Sequence, residues 1–182
     1  AGGGDAVIQT TGSGMVKSGI LGLVLGTSGV MAMGLSGYQD NPGGKLQVFC
    51  NNAPDLWHAM GVTLAAGGSF AWYRDTLCQA EKKEAWEKGV SAYDILNSEA
   101  ESAAPGCHGL LFLPYLSGER CPLNDPNARG TFIGLNLQHT HADMTRSVME
   151  GVTYSLRQCA ELIFKMDPSL VPEKIIVSGG GA

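Results

Sequence analysis

Residues 23–33 read LVLGTSGVMAM, in which the turn Gly26-Thr27-Ser28-Gly29 separates two apolar runs. This arrangement predicts a strand, a tight turn and a returning strand. The two hydroxyl residues have two interpretations. Either Thr27 and Ser28 bond the local backbone, as in many turns, or the turn cradles a phosphate, because glycine lets backbone N–H groups approach an anion and hydroxyls add donors. Taken alone, the stretch favours the ordinary turn.

The bulk composition predicts a globular protein with one domain. The chain has 182 residues, of which 44% are hydrophobic and 16% charged, as in domains that bury a sizeable core. A net charge of -5 and the lack of a basic stretch argue against binding to nucleic acid or an anionic membrane. A nucleotide is still allowed, since backbone amides and a metal ion can meet its phosphates.

Cysteine usage and hydropathy predict a cytoplasmic protein. No CxxC pair occurs, and five widely spaced cysteines suggest reduced thiols. No apolar run is long enough to span a bilayer, and the first residues lack the layout of a signal peptide. The cysteines are Cys50, Cys78, Cys107, Cys121 and Cys159.

Glycine is unusually frequent, with 26 residues, and it gathers in the groups AGGGD, GTSG, AAGGS and SGGGA. Grouping of this kind predicts several places where the backbone closely approaches another group. The chain also begins inside one glycine loop and stops inside another. We therefore expect residues 1–182 to be part of a longer protein.

Strand-like runs alternate with helical patterns along the chain, which predicts an α/β fold. The Gly67-Gly68 pair costs its helix about 1 kcal/mol per glycine, so another group is expected to approach it closely. The closing KIIV run is expected to be a buried strand. The predicted helices are 5–12 capped by Asp5, 63–77, the charged stretch 81–102, and a long helix starting at and capped by Asp143; strands are predicted around 23–33, in 45–62, in GLLFLPYL and in TFIGL.

Two other catalytic patterns were weighed and disfavoured. His139, His141 and Asp143 form an HxHxD motif similar to the metal site of metallo-β-lactamase-like hydrolases. However, Met144 stands where that family has a second histidine, and no histidine follows position 141. The turn GTSGV lacks the G-x-S-x-G spacing and the following helix of a serine hydrolase. Glu119 and Arg120 are interpreted as structural residues that pair with each other or brace their loop.

Three separated segments resemble one family, the FGGY carbohydrate kinases. Residues 130–151, GTFIGLNLQHTHADMTRSVMEG, match its carboxy-terminal signature, and residues 109–130, GLLFLPYLSGERCPLNDPNARG, look like the loop that precedes it. Residues 56–75, LWHAMGVTLAAGGSFAWYRD, are similar to the xylulokinase branch. The resemblance covers nearly the whole chain except the charged stretch 81–102, so it is far more specific than a single glycine pattern.

The resemblance implies an α/β, ribonuclease H-like ATPase fold of the actin, hexokinase and Hsp70 type, with a mixed sheet flanked by helices. Residues 1–182 would form an incomplete carboxy-terminal ATPase-like domain, and the amino-terminal domain would be absent. ATP would lie in the cleft between the two domains. A sugar hydroxyl would attack its γ-phosphate, with Mg²⁺ held largely by the missing domain.

The same resemblance assigns roles to individual residues. Asp5 matches the general base that accepts the proton of the attacking hydroxyl and contacts the sugar. Gly26 and Thr27 match a turn that contacts the terminal phosphates, and Gly67 matches another nucleotide-contacting glycine. The adenosine loop corresponds to Gly180 and Gly181. Each has a simpler interpretation: Asp5 as a helix cap, Gly67 as a packing glycine and the terminal glycines as an ordinary turn.

The expected reaction is the ATP-dependent phosphorylation of D-xylulose. Ala6 stands where relatives usually carry a Gln or Asn that helps to hold the sugar, so the identity of the sugar stays open. Ala71 stands where some relatives have a polar nucleotide contact. A kinase for gluconate, ribulose or a polyol is the alternative, as is a non-catalytic protein that binds sugar and nucleotide. The expected partners are small molecules, and the pattern is compatible with a homodimer.

Overall fold

A five-stranded mixed sheet and a separate two-stranded sheet organise the chain. The computed structural model describes residues 3–41 and 43–182, so Ala1, Gly2 and Pro42 of two predicted loops lie outside it. The elements are α1 Asp5–Gly12, β1 Ile20–Leu25, β2 Gly29–Leu35, β3 Gln47–Cys50, β4 Trp57–Thr63, α2 Gly67–Leu77, α3 Gln79–Lys88, α4 Ala92–Ser102, β5 Leu111–Leu113, β6 Thr131–Ile133, α5 His141–Met166 and β7 Lys174–Ser178.

The predicted hairpin is confirmed and lies near the middle of the larger sheet. Strands β1 and β2 are antiparallel, with Leu25 opposite Gly29 at the turn. The sheet order is β3-β4-β2-β1-β7, in which β7 is parallel to β1 and the other pairs are antiparallel. Helices cover parts of both faces, which confirms the predicted α/β class with a mixed sheet.

Helix α5 covers one face of this sheet and forms the main core. Its apolar stripe, which includes Leu156, Cys159 and Ile163, packs against Leu21 and Met33 of the hairpin. Side chains alternate between the two faces of a sheet along each strand, so the residues next to Leu21 and Met33 point to the face opposite α5. There α1 and the chain after it pack, with Met15 buried in a smaller cluster.

Several predicted boundaries are wrong by a few residues, for local reasons. Helix α5 begins at His141, because the hydroxyl of Thr140 accepts from the Asp143 amide and the Asp143 carboxylate accepts from the Thr140 amide. This reciprocal pair is a capping box, so Asp143 is the third helical residue. Helix α1 has Gly4 at its N-cap, and Asp5 is its first helical residue. Helix α2 begins at Gly67, because Thr63 completes β4.

Two strands predicted as buried are only partly so. Strand β7 lies at the edge of the sheet, and its Ile175 and Val177 side chains are 58% and 49% exposed. In the GLLFLPYL segment only Leu111–Leu113 forms a strand, which pairs with β6. Phe112 of that strand faces inward against Phe132, whereas Leu111 is exposed.

None of the helices in residues 3–41 and 43–182 combines the length and the apolar character needed to cross a bilayer. All five cysteines are free thiols.

His58 is a buried titratable group in β4. Its side chain is fully buried, and neither ring nitrogen has a hydrogen-bond partner among the residues that the structure describes. The ring lies against Phe49, with the two ring centroids 5.5 Å apart. Burial without a partner disfavours the charged imidazolium, so it lowers the pKa of His58 below its usual 6.5. The folded protein therefore holds this imidazole neutral.

We expect His58 to make the protein acid-sensitive. Because its pKa is lower in the folded state than in the unfolded state, its stabilising contribution is present above about pH 6.5 and is lost as the pH falls. The loss reaches at most about 1.4 kcal/mol per pH unit. Urea unfolding between about pH 5 and 8 should show a smaller decline for His58→Leu than for the wild type. Parallel pH profiles for the two proteins would contradict this expectation.

Candidate active site

The turn between β1 and β2 presents unused hydrogen-bond donors. The Gly26 amide donates across the turn to the carbonyl of Ser28, at 3.0 Å. In the part of the chain that the structure describes, the amides and hydroxyls of Thr27 and Ser28 donate to no other residue. Thr27 is exposed and Ser28 is half-buried. The ordinary-turn interpretation required these hydroxyls to bond the local backbone, and they do not.

The first turn of α2 docks directly onto this hairpin turn. The amides of Ala66 and Gly68 donate to the Thr27 carbonyl at 2.9 and 3.0 Å, and the Gly67 amide donates to the Gly26 carbonyl at 2.9 Å. These bonds satisfy amides that a helix N-terminus otherwise leaves unpaired. The positive end of the α2 dipole therefore lies against the turn and favours an anion there.

Glycine is required at the start of α2 because no side chain fits between helix and turn. A Cβ atom at Gly67 would lie 2.6 Å from the Gly26 carbonyl oxygen, and one at Gly68 would lie 3.0 Å from that of Thr27. The predicted close approach is therefore confirmed. Since the Gly67 amide is already bonded to the hairpin, Gly67 acts on this site by lacking a side chain.

The loop after β7 reaches the same place. The Gly181 amide donates to the Leu25 carbonyl at 3.0 Å. Gly179 has a φ of +101° and would place a Cβ atom 2.4 Å from the same carbonyl oxygen, so it too must be glycine. Gly180, between them, is exposed and has open space around it. Three glycine turns that are distant in sequence thus meet at Leu25–Ser28.

Asp5 stands on a separate element. It is exposed at the first position of α1, and its carboxylate accepts from the Ala6 amide at 2.8 Å. Ala6 packs on the sheet face opposite α5. Within the described residues no hydrogen bond links Asp5 to the hairpin turn. Contacts within the structure therefore join Gly26, Thr27, Gly67 and Gly181, with Gly180 in the same loop, and among the described residues Asp5 takes no part in these hydrogen bonds.

A buried carboxylate braces the segment that leads into α2. Glu119 is only 2% exposed and accepts hydrogen bonds from the Leu64 amide at 3.0 Å, the Arg120 amide at 2.7 Å and the Thr63 hydroxyl. Burial raises the pKa of Glu119, although all three bonds oppose that rise. Ser155 of α5 in turn donates to the Thr63 hydroxyl at 3.2 Å. Of the two roles expected for Glu119, pairing with Arg120 or bracing its loop, the structure therefore confirms the second.

The residues of the HxHxD motif do not converge. The Asn136 amide donates to the Nδ1 atom of His139, at 3.0 Å. Asp143 caps α5 and accepts from the exposed ring of His108, at 3.1 Å. His141 turns instead toward the junction of α2 and α3, where its Nε2 atom lies 3.8 Å from a buried sulfur. The side chains of His139, His141 and Asp143 therefore lie in three different places and do not form a common metal site.

Sequence reasoning missed four contributors to this site. Ser28 was quoted but not assigned, Gly68 and Gly179 would place Cβ atoms 3.0 and 2.4 Å from carbonyl oxygens of the turn, and Glu119 was expected to brace only its own loop but also supports the α2 segment. The glycine groups carried a usable signal for Gly68 and Gly179. No local pattern indicates Glu119, because its partners in β4 lie more than fifty positions away in sequence.

Comparisons with known proteins agree on the family. The model of the FGGY family of carbohydrate kinases, C-terminal domain, matches residues 21–182. A xylulose kinase of Staphylococcus epidermidis is 39% identical over 186 residues, covering 100% of this chain and 34% of that protein. A gluconokinase of Bacillus subtilis is 36% identical over 156 residues, covering 85% of this chain and 30% of that protein. The chain thus spans about a third of the length of these curated relatives.

A solved structure extends the likeness to the fold. The xylulose kinase of Bifidobacterium adolescentis superposes with a TM-score of 0.83 at 32% identity, covering 100% of this chain and 33% of that one. The fold is of the actin- and hexokinase-like type. Within that class, the chain belongs to the FGGY family of carbohydrate kinases.

Glu119 should contribute measurably to stability through its bonds to the α2 segment. Replacement by Ala leaves two amides and a hydroxyl without their acceptor, and each buried unsatisfied group costs about 1–3 kcal/mol. We expect Glu119→Ala to lower the free energy of unfolding by about 3 kcal/mol or more, measured by urea denaturation. The matched variant Glu119→Gln keeps an acceptor oxygen and should lose less than half of that. Equal losses for both variants would contradict this expectation, because Gln keeps both the packing and one acceptor oxygen of the original side chain.

Proposed function

We propose that the protein containing this chain is an ATP-dependent sugar kinase whose favoured substrate is D-xylulose. Residues 1–182 would form part of its carboxy-terminal ATPase-like domain, and the nucleotide would lie between this domain and an amino-terminal one. The single observation that carries the proposal is the set of free donors on Thr27 and Ser28 at the N-terminus of α2. Amide and hydroxyl donors beside a positive helix end suit the oxygens of a phosphate.

The donor chemistry of the turns fits a phosphate better than a metal ion. The residues of the turns at 26–28, 66–68 and 179–181 carry no carboxylate, whereas Mg²⁺ prefers carboxylate oxygens and substrate phosphates. We therefore place the protein ligands of Mg²⁺ mainly outside this chain. When bound with ATP, Mg²⁺ would help neutralise the charge of the phosphates.

Each residue of the site then has a distinct role. Thr27 and Ser28 orient the terminal phosphates, the Gly26 carbonyl accepts from the Gly67 amide, and the absence of a side chain at Gly67 keeps the turn against α2. The exposed Gly180 and neighbouring Gly181 line the nucleoside part of the site. Asp5 accepts the proton of a primary sugar hydroxyl while that oxygen bonds to the γ-phosphorus and the bond to the leaving ADP breaks. The proton passes to solvent after product release.

The choice of D-xylulose rests on the names of the relatives. Xylulose kinases match the whole chain, and a gluconokinase matches most of it. Gluconate, ribulose and polyols are therefore the alternative substrates, and Ala6 removes one amide that relatives use to hold the sugar. A cytoplasmic location remains our prediction for the enzyme, and its oligomeric state, including a homodimer, stays open.

A panel assay tests the function directly. The protein in its full natural length, with Mg²⁺ and ATP, should form ADP with D-xylulose faster than with ribulose, gluconate or a polyol. Faster turnover of another member of the panel would correct the substrate and keep the kinase. A folded protein that binds nucleotide but phosphorylates none of them would support the non-catalytic alternative.

Replacing Asp5 separates its two roles. Asp5→Asn keeps an oxygen that accepts from the Ala6 amide but cannot accept a proton, whereas Asp5→Ala loses both functions. If Asp5 is the general base, both variants should lower kcat by about 10²–10⁴-fold with little change in the KM for ATP. Asp40→Asn, at another exposed carboxylate, is the matched control and should keep full activity. A fully active Asp5→Asn would leave Asp5 with only its local bond to the Ala6 amide.

Gly67→Ala should damage the phosphate turn without touching a catalytic side chain. The new Cβ atom would meet the Gly26 carbonyl at 2.6 Å, so α2 or the turn must move. We expect kcat/KM for ATP to fall at least about 10-fold, or 1.4 kcal/mol of transition-state stabilisation. Gly37→Ala is the matched control, because nothing lies within 4 Å of its Cβ position. Unchanged kinetics in Gly67→Ala would mean that the contact at α2 does not shape the ATP site.

A further inference from the structure

A second polar cluster lies at the opposite end of α2 from the phosphate turn. Cys78 joins α2 to α3, Glu81 lies in the first turn of α3, and His141 is the first residue of α5. One ligand atom from each of these three residues lies within 4.8 Å of the others. Ten helical residues lie between Gly67 and Cys78, which corresponds to a separation of about 16 Å at 1.5 Å per residue. The cluster is therefore a different site from the one that faces ATP.

The imidazole in this cluster is held in a defined orientation. The Nδ1 atom of His141 lies 2.8 Å from a carboxylate oxygen of Glu99, which can only accept, so the ring proton is on Nδ1. The other Glu99 oxygen accepts from the Thr145 hydroxyl at 2.9 Å, which fixes the carboxylate. The Nε2 lone pair then points toward the Tyr73 hydroxyl and the Cys78 sulfur, at 3.0 and 3.8 Å. A carboxylate behind a histidine is the usual support of a metal-binding imidazole.

Charge in the cluster favours a cation. Glu81 and Glu99 each lie within ion-pair distance of the Nδ1 atom of His141, at 3.5 and 2.8 Å, so an ion at Nε2 would require the Glu81 carboxylate to turn toward that side of the ring. Within residues 3–41 and 43–182 neither carboxylate forms a salt bridge with a lysine or an arginine. The side chain of Cys78 between them is fully buried. A divalent ion bound to a Cys78 thiolate and the Glu81 carboxylate would make its immediate ligand set neutral.

We propose that Cys78, Glu81 and His141 bind a zinc-like divalent transition-metal ion, with Glu99 as the positioning residue for His141. Thiolate, imidazole and carboxylate are the ligands of zinc, whereas Mg²⁺ and Ca²⁺ prefer oxygen alone. In a tetrahedral zinc site, the sulfur and nitrogen ligands are roughly 3.5 Å apart, close to the 3.8 Å between the Cys78 and His141 atoms. The Tyr73 hydroxyl or a water molecule would supply the fourth ligand.

The ion would have a structural role. Helix α3 buries only Ala85 among its own residues, so apolar packing holds it weakly. A metal shared by its first turn and the start of α5 would fix α3 against the rest of the domain. Binding to the folded state only should then raise the unfolding temperature. This inference does not depend on the kinase activity.

Cobalt is the informative probe, because a thiolate ligand gives Co²⁺ a charge-transfer absorption in the near ultraviolet. Full-length protein freed of metal by a chelator should bind one equivalent of Co²⁺ with this absorption, and Zn²⁺ should displace it. Cys78→Ser should abolish the band, and Glu99→Gln should weaken binding by about 10–100-fold. Cys50→Ser, at the exposed cysteine, and His139→Gln, in the HxHxD motif, are the matched controls and should leave the band unchanged.

The outcomes are distinguishable from those of the kinase assays. Absence of the thiolate band in the wild type, its survival in Cys78→Ser or its loss in Cys50→Ser would each overturn the proposal. If Cys78→Ser does not fold by circular dichroism, Glu81→Gln decides the question, since Glu81 is partly exposed on a helix turn. Co²⁺ affinity equal to that of the wild type in Glu81→Gln would then overturn it. A rise in unfolding temperature with Zn²⁺ in the wild type and none in Glu81→Gln would support it.

Discussion

Three backbone hydrogen bonds between the start of α2 and the β1–β2 turn hold the candidate active site together. They run from the amides of Ala66, Gly67 and Gly68 to the carbonyls of Gly26 and Thr27. Because these bonds pair the first amides of the helix, α2 acts on the site through its dipole, and the hydrogen-bond donors without a partner among the described residues are those of the turn. They also require the helix and the turn to be in van der Waals contact. No residue other than glycine allows that contact at position 67.

The protein supports this contact from behind with a chain of buried polar groups. Ser155 of α5 bonds to Thr63, Thr63 bonds to Glu119, and Glu119 accepts from the Leu64 amide three residues before α2. A buried carboxylate without a cation is costly, and burial accordingly raises the pKa of Glu119. The cost is offset because three donors converge on one side chain. The position of α2 is thereby tied to the long helix that forms the main core.

Local patterns in the sequence predicted the helices and strands but not the long-range contacts that position them. The hairpin, the close approach at Gly67 and the α/β order follow from apolar periodicity and glycine grouping, and the structure confirms them. The start of α5 was misplaced because a capping box puts its acid three residues inside the helix. The exposure of β7 depends on its place at the sheet edge, and the role of Glu119 depends on distant partners. Both are properties of the assembled fold, which local patterns do not contain.

The free donors of the hairpin turn include two main-chain amides, those of Thr27 and Ser28. Every amino acid except proline carries such an amide, so changing either side chain leaves three of the four donors in place. An alanine scan across the turn would therefore understate its importance. The positions that control it are Gly67 and Gly179, where an added methyl group would lie 2.6 and 2.4 Å from a carbonyl oxygen and the backbone would have to move. In this domain, sensitivity to mutation marks the residues that shape the main chain more reliably than those that would touch the ligand.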